Sequence, residues 1–236
     1  MTTGTTTHTG WHTQPLTAFD LETTAPNPVE ARIVTAAIVR TGTTPGTHAR
    51  TWLLNPGVPI PEGATAVHGI TTEQAVADGM DAATGIAQIA QALADGWATG
   101  APLVAFNASY DLTVLDRELR RHGQPGLKVT GPVIDPYVID RHIDKYRKGK
   151  RTLSAQVEHY RVTLDGAHNA TADAIGAARV AWRIATMYPA IAAMPLADLH
   201  AAQAEWHAER QADFAKYLAA MGKPTEDVNG EWPVRS

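Results

Sequence analysis

The chain has 236 residues, 44% of them hydrophobic and 19% charged, a balance that excludes a collagen-like repeat, a coiled-coil rod and long disorder. Its 20 Lys and Arg against 24 Asp and Glu leave a formal net charge of −4, so no overall basic field draws it to nucleic acid or membrane, although a local basic strip can coexist with an acidic centre. There is no cysteine, which removes disulfides, thiolate zinc sites, iron–sulfur clusters and cysteine nucleophiles.

Residues 1–15 are Thr-rich without an apolar period and read as a flexible tail. Three strands are predicted next, Leu16–Glu22, Ile33–Arg40 and His48–Leu54, and Pro56–Gly69 reads as a Pro/Gly-rich loop. Ile86, Ile89, Leu93 and Trp97 recur at helical spacing, Pro102–Phe106 has the pattern of a short buried strand, and Leu112, Leu115 and Leu119 share a helical face. Val129–Asp135 is a further strand candidate, followed by helices near Pro136–Tyr146, Leu153–Tyr160 and Thr171–Tyr188. This order predicts an α/β domain with a mixed sheet over residues 16–188. Pro189 and Pro195 then open a helical extension, residues 189–236. In it Leu199, Trp206, Phe214, Tyr217, Leu218 and Met221 mark a long amphipathic helix ending at Gly222. That stripe is expected to pack on the domain or on a second copy (a homodimer) through Trp206, Phe214, Leu218 and Met221. No apolar run reaches the about 18 residues that span a bilayer, and no signal-peptide pattern opens the chain, so a soluble cytoplasmic protein without membrane partners is expected.

The chemistry-bearing segment is Phe19-Asp20-Leu21-Glu22-Thr23-Thr24. Side chains alternate on a strand, so Asp20 and Glu22 share a face. Two carboxylates held there repel each other and resist desolvation unless a cation lies between them. Alone, a D-x-E is most often a solvated strand end. A second acid, Asp111, falls in the first turns of the helix after Asn107, where the helix dipole alone would favour it. The third piece is His168-Asn169-Ala170-Thr171-Ala172-Asp173. Five positions apart, His168 and Asp173 converge only if the histidine sits on a loop and the acid on a helix capped by Asn169.

Four acids and a histidine thus occur in the order D-x-E, D, H-x4-D. Here the chain resembles the DEDDh family, 3′→5′ exonucleases of the RNase H-like superfamily that include the proofreading epsilon subunit of bacterial DNA polymerase III. Phe19–Thr24 looks like the family's first motif, Val67–Thr71 like its substrate-side loop, Ala105–Leu115 like its second motif, and His168 with Asp173 like its third. The likeness runs from about Leu16 to Tyr188; Phe106 departs from it, since many relatives carry histidine there. Asn169 stands where the tyrosine variant of the family would need a tyrosine.

The resemblance implies an RNase H-like mixed β-sheet flanked by helices. It implies two divalent ions, Mg²⁺ or Mn²⁺, on Asp20, Glu22, Asp111 and Asp173, with His168 as general base and nucleoside 5′-monophosphates as products. Thr23, His68 and Asn107 become candidate contacts to the terminal nucleotide. The partners implied are 3′ ends of single-stranded DNA or RNA, and a DNA polymerase. Within such an enzyme the basic run Lys145–Arg151 gains a purpose: Lys148 and Lys150 are expected to track the strand's phosphates, with Tyr146 offering a stacking face. An RNA-trimming enzyme shares the same motifs, and a non-catalytic polymerase-associated module would usually have lost one of the five residues. No P-loop, G-x-S-x-G elbow or H-E-x-x-H occurs.

Overall fold

The computed structural model describes residues 10–42, 48–164, 166 and 169–236. Its elements are β1 (Leu16–Thr23), β2 (Ile33–Thr41), β3 (His48–Asn55), α1 (Glu62–His68), α2 (Thr72–Asp78), β4 (Met80–Asp81), α3 (Ala82–Ala98), β5 (Leu103–Val104), α4 (Ala108–Arg121), β6 (Val133–Ile134), α5 (Pro136–Ile143), α6 (Leu153–Tyr160), α7 (Ala170–Met187), α8 (Pro189–Ala192) and α9 (Leu196–Ala220). The strands form one sheet in the order β4-β3-β2-β1-β5-β6. β1 lies antiparallel to β2 and β2 to β3, whereas β1–β5, β5–β6 and β3–β4 are parallel. The expected mixed α/β sheet flanked by helices is therefore what the chain forms.

β1 sorts its side chains by parity. Phe19 and Leu21 enter the larger core with Ile86, Ile89 and Leu93 of α3 and Leu112 and Leu115 of α4. Leu16 and Ala18 turn the other way, onto α7. The buried side of α7 is built from small residues, among them Ala174, Ala177, Ala178 and Ala181, which lets its axis lie close to the sheet. Asp20 and Glu22 continue the Leu16–Ala18 face, so they emerge under the start of α7.

The far edge of the sheet is closed by side chains. β6 has no strand beyond it, and α9 supplies the missing partners: Val133 N–H donates to His200 Nδ1 (3.0 Å), Asp135 N–H to Gln203 Oε1 (2.6 Å), and Gln203 Nε2 donates to Val133 O (2.9 Å). Such an edge would otherwise template pairing with another chain. The last residues return to the core, where Trp232 is buried and Arg235 N–H donates to Thr113 Oγ1 (2.9 Å).

Four expectations change. The part of the 1–15 tail that is described is anchored: Trp11 is buried and its indole donates to Ile191 O (3.0 Å). Pro56–Gly69 holds a helix, α1, which has no buried residue and so left no apolar period in the sequence. The strand over Val129–Asp135 shortens to Val133–Ile134. α9 packs through Leu199, Gln203 and His207, one face at four-residue spacing, and through Trp206, which meets both cores as expected, while Tyr217 and Met221 are exposed and Phe214 and Leu218 half-buried. Among the described residues no helix is long and apolar enough to cross a membrane.

Candidate active site

Three of the predicted acids meet where β1 passes under α7. Ligand atoms of Asp20, Glu22 and Asp173 all lie within 4.8 Å of one another. Asp173 gets there because Asn169 caps α7, its Oδ1 accepting from the Thr171 and Ala172 amides (3.0 and 3.4 Å), as the sequence suggested. Asp111 comes from the opposite layer. Thr17 N–H faces β5 and bonds Pro102 O (3.0 Å), and Leu21 N–H, four residues on, points the same way. β5 has ended by then, and Asp111 Oδ1 takes that amide instead (3.1 Å). A two-residue strand thus leaves the gap through which Asp111 reaches the edge of β1 beside Asp20. His168 lies outside the described residues.

Among the described residues no Lys or Arg pairs with Asp20, Glu22 or Asp111. Burial, and then the charges of Asp111, Glu22 and Asp173, hold the Asp20 carboxyl well above the usual range. Burial and Asp173 push Glu22 up to about 7. Asp111 is also raised, chiefly by burial, against the pull of the Leu21 amide. Carboxylates gathered like this favour a proton or a cation, and hard oxygen donors in this number suit a divalent ion.

A cavity opens on each side. Asp20 and Asp111 line one of about 480 Å³ with Asn107, Tyr110, Tyr137 and Arg151. Glu22 lines the other, of about 260 Å³, with Trp52, His68 and the start of α7. His68 sits at the end of α1; its Nδ1 accepts from Ile70 N–H (3.1 Å) and its Nε2 is buried without a hydrogen-bond partner. Burial lowers its pKa, so the ring is neutral. With Nδ1 accepting, the proton is on Nε2, a donor at the cavity wall. The Thr23 hydroxyl is engaged with Tyr110 and Ala25.

Asn107 adopts a left-handed backbone (φ 60°, ψ 48°), costly for a non-glycine residue, and Asp135 holds it there. The Asp135 carboxylate accepts from Asn107 N–H (2.9 Å) and Ala108 N–H (2.8 Å), and also from the Tyr137 amide and the Trp232 indole. Asp135 was not singled out in the sequence; its one legible sign is its place before Pro136, an N-cap position. The basic run divides. Arg151 is buried and bonds Asp140 Oδ2 (2.6 Å), while Arg147 also pairs with Asp140. Lys148 and Lys150 are exposed and outside the lining of either cavity.

Residues 17–181 match the exonuclease family RNase_T. The chain is 33% identical over 171 residues to a "DNA polymerase III subunit epsilon-like protein" of Rhodobacter capsulatus, covering 70% of this chain and 23% of that one. It is 28% identical over 156 residues to a "DNA polymerase III PolC-type" of Lacticaseibacillus paracasei, covering 66% and 10%. The chain therefore spans under a quarter of the length of these curated relatives. Its fold is similar to that of E. coli exonuclease I. In complex with a dT13 oligonucleotide that structure matches with a TM-score of 0.62, 19% identity and coverage of 75% of this chain and 42% of that one. A zinc-bound exonuclease I complex with single-stranded DNA matches with a TM-score of 0.64 and 18% identity, over the same shares.

Proposed function

Because the chain belongs to the RNase_T exonuclease family, we propose that it is a 3′→5′ exonuclease. It trims single-stranded DNA to nucleoside 5′-monophosphates, with two ions, Mg²⁺ or Mn²⁺, held by Asp20, Glu22, Asp111 and Asp173. The observation that carries this reading is the acid cluster itself, with ligand atoms of Asp20, Glu22 and Asp173 within 4.8 Å of one another and Asp111 at the strand edge. When bound, divalent ions supply charge neutralisation and Lewis acidity at a scissile phosphate.

The chain's own residues do the rest. His168 takes the proton of the attacking water; an ordinary imidazole, titrating at about 6.5, is largely neutral at working pH. The His68 Nε2–H, at the wall of the Glu22 cavity, donates to the terminal nucleotide. Asn107, fixed by Asp135, contacts the strand on the Asp20 side, and the Thr23–Tyr110 pair braces the wall between. Lys148 and Lys150 neutralise phosphates further out. By analogy with the epsilon-like and PolC-type relatives, a DNA polymerase is the partner proposed.

The test compares 5′-labelled single strands of DNA and RNA, matched in sequence, with Mg²⁺, Mn²⁺ or chelator. A ladder shortening from the 3′ end, faster on DNA and abolished by chelator, is expected; internal cuts or chelator-resistant cleavage would overturn the reading. His168→Ala should lower turnover by about 10²–10⁴-fold while Mn²⁺ still binds.

A further inference from the structure

A third hollow, of about 220 Å³, lies between α5 and α9, and its lining includes Tyr137, Arg141, Trp206, His207, Arg210 and Phe214. Tyr137 and Arg141 also line the Asp20–Asp111 cavity, so the two share a wall. No carboxylate lines the hollow, in a chain whose net charge is −4. Among the described residues neither Arg141 nor Arg210 makes an ion pair. Each lies over a ring instead, Arg141 at 5.2 Å from the Tyr137 centroid and Arg210 at 5.4 Å from that of Phe214. Trp206 is held flat against His142, with centroids 3.8 Å apart and planes 11° from parallel, which makes it a rigid platform.

His207 adds an independent sign. It is 4% exposed, and its Nε2 is buried with no hydrogen-bond partner. The other ring nitrogen donates to the Asn229 backbone, the sense that raises the pKa, and burial outweighs this and keeps the ring neutral, so Nε2 carries the lone pair and is an acceptor. A polar atom left buried and unmet is costly. The hollow therefore offers two guanidinium groups that make no ion pair among the described residues, and an unmet ring nitrogen, between aromatic walls. That combination suits a ligand both anionic and planar. Its volume is below the about 300–1,000 Å³ of sites that enclose a whole small molecule, which suits one unit of a longer chain.

We propose that this hollow seats a nucleotide of the same single strand, upstream of the one being removed. Its phosphate lies between Arg141 and Arg210, its base lies against Trp206 and Phe214, and His207 Nε2 accepts from an N–H of the base. Arginine and aromatic rings together are the usual means of holding a strand without reading its sequence. The shared wall at Tyr137 and Arg141 favours a strand over a free nucleotide, which would need no connection to the acids. The proposal rests on the exonuclease reading for the strand's direction.

The test is fluorescence anisotropy of a 5′-labelled oligo-dT and of a labelled dinucleotide, on the full chain with Ca²⁺. Arg210→Ala and Phe214→Ala should each weaken oligonucleotide binding by about 5- to 150-fold, and Arg210→Ala should reduce the salt slope by about one unit. The dinucleotide, which offers at most one nucleotide upstream of the terminal one, should lose less affinity than oligo-dT. Where Phe214→Ala does not fold, Phe214→Leu keeps the volume and removes the ring face. Equal losses at both lengths, or no loss at either, would overturn the proposal. So would a mononucleotide that competes at this hollow while oligonucleotide affinity ignores Arg210. The readout needs no turnover, so a wild-type protein without 3′ trimming would end the exonuclease reading and leave this length comparison standing.

Discussion

Asp140 and Asp20 are carboxylates of one α/β fold, Asp140 fully buried and Asp20 half-buried beside a cavity, and their surroundings differ in kind. Around Asp140, Arg151 donates at 2.6 Å, the Tyr160 hydroxyl at 2.7 Å and Arg147 at 2.8 Å, so its countercharge is built into the chain. Asp116 is treated likewise, by Arg120 Nε and the Leu127 amide, both at 2.8 Å. Around Asp20 the nearest charges are Asp111, Glu22 and Asp173, all of its own sign. The fold supplies some buried acids with an internal cation and gathers like charges around Asp20, a setting that favours a proton or a cation.

The contrast is most sharply broken at Asp20. Asp20→Asn should lower nuclease activity by more than the roughly 10–100-fold typical of losing a residue that only supports a metal ligand. The same variant, in chelator, should melt at a higher temperature than the wild type because a like charge has gone. Retained cleavage of a labelled oligonucleotide, or a lower melting temperature in chelator, would contradict this. Asp140→Ala should do the opposite, stranding two arginines at a cost of about 3–5 kcal/mol in denaturant unfolding. Were it neutral, Asp140 would not be the internally compensated acid that its contacts describe.

Asp135 stands between the two sets. It is fully buried, its carboxyl pushed to about 6 by burial against the pull of its amide and indole donors, and it holds the turn that starts α4. Asp135→Asn is expected to reduce turnover by about 10–100-fold with a folded protein by circular dichroism; unchanged turnover would confine its role to packing.

The smallest effect is one of pH. Glu22 titrates at about 7 in the fold against an ordinary 4.5, so between these values the folded state binds more protons than the unfolded one. Its contribution is therefore lost as pH rises from about 4.5 to 7. The melting temperature of the metal-free protein should fall across that window, and Mg²⁺ should flatten the profile. A rising profile in chelator would refute the assignment.

Much of the acid cluster was legible in the chain because it depends on local rules. Strand parity puts Asp20 and Glu22 on one face, and Asn169 sets the first turn that carries Asp173. Asp111 was legible as a residue at a helix start, but not as the partner of the Leu21 amide, which depends on where β5 stops. Arg147 and Arg151 misled for a related reason. In sequence they belong to a basic run, and only the tertiary fold shows that Asp140 claims them. The stripe of α9 was legible in part: Leu199 and Trp206 do pack on the core, whereas Phe214, Tyr217, Leu218 and Met221 stay exposed or half-buried, and the hydrogen bonds that dock α9 on β6 come from His200 and Gln203, polar side chains with no hydrophobic signature.

The cover over β6 also has a meaning in time. Gln203 reaches back 68 residues to Asp135, Trp232 reaches back 97, and Arg235 reaches back 122 to Thr113. Contacts so distant in sequence close slowly. During synthesis β1 to β6 can therefore pair well before α9 has emerged to cover them. For that interval the nascent chain carries a bare strand edge, the surface on which partly folded proteins aggregate. The later arrival of His200 and Gln203 ends this exposure, so α9 acts as an internal guard on biosynthesis as well as a wall of the finished protein.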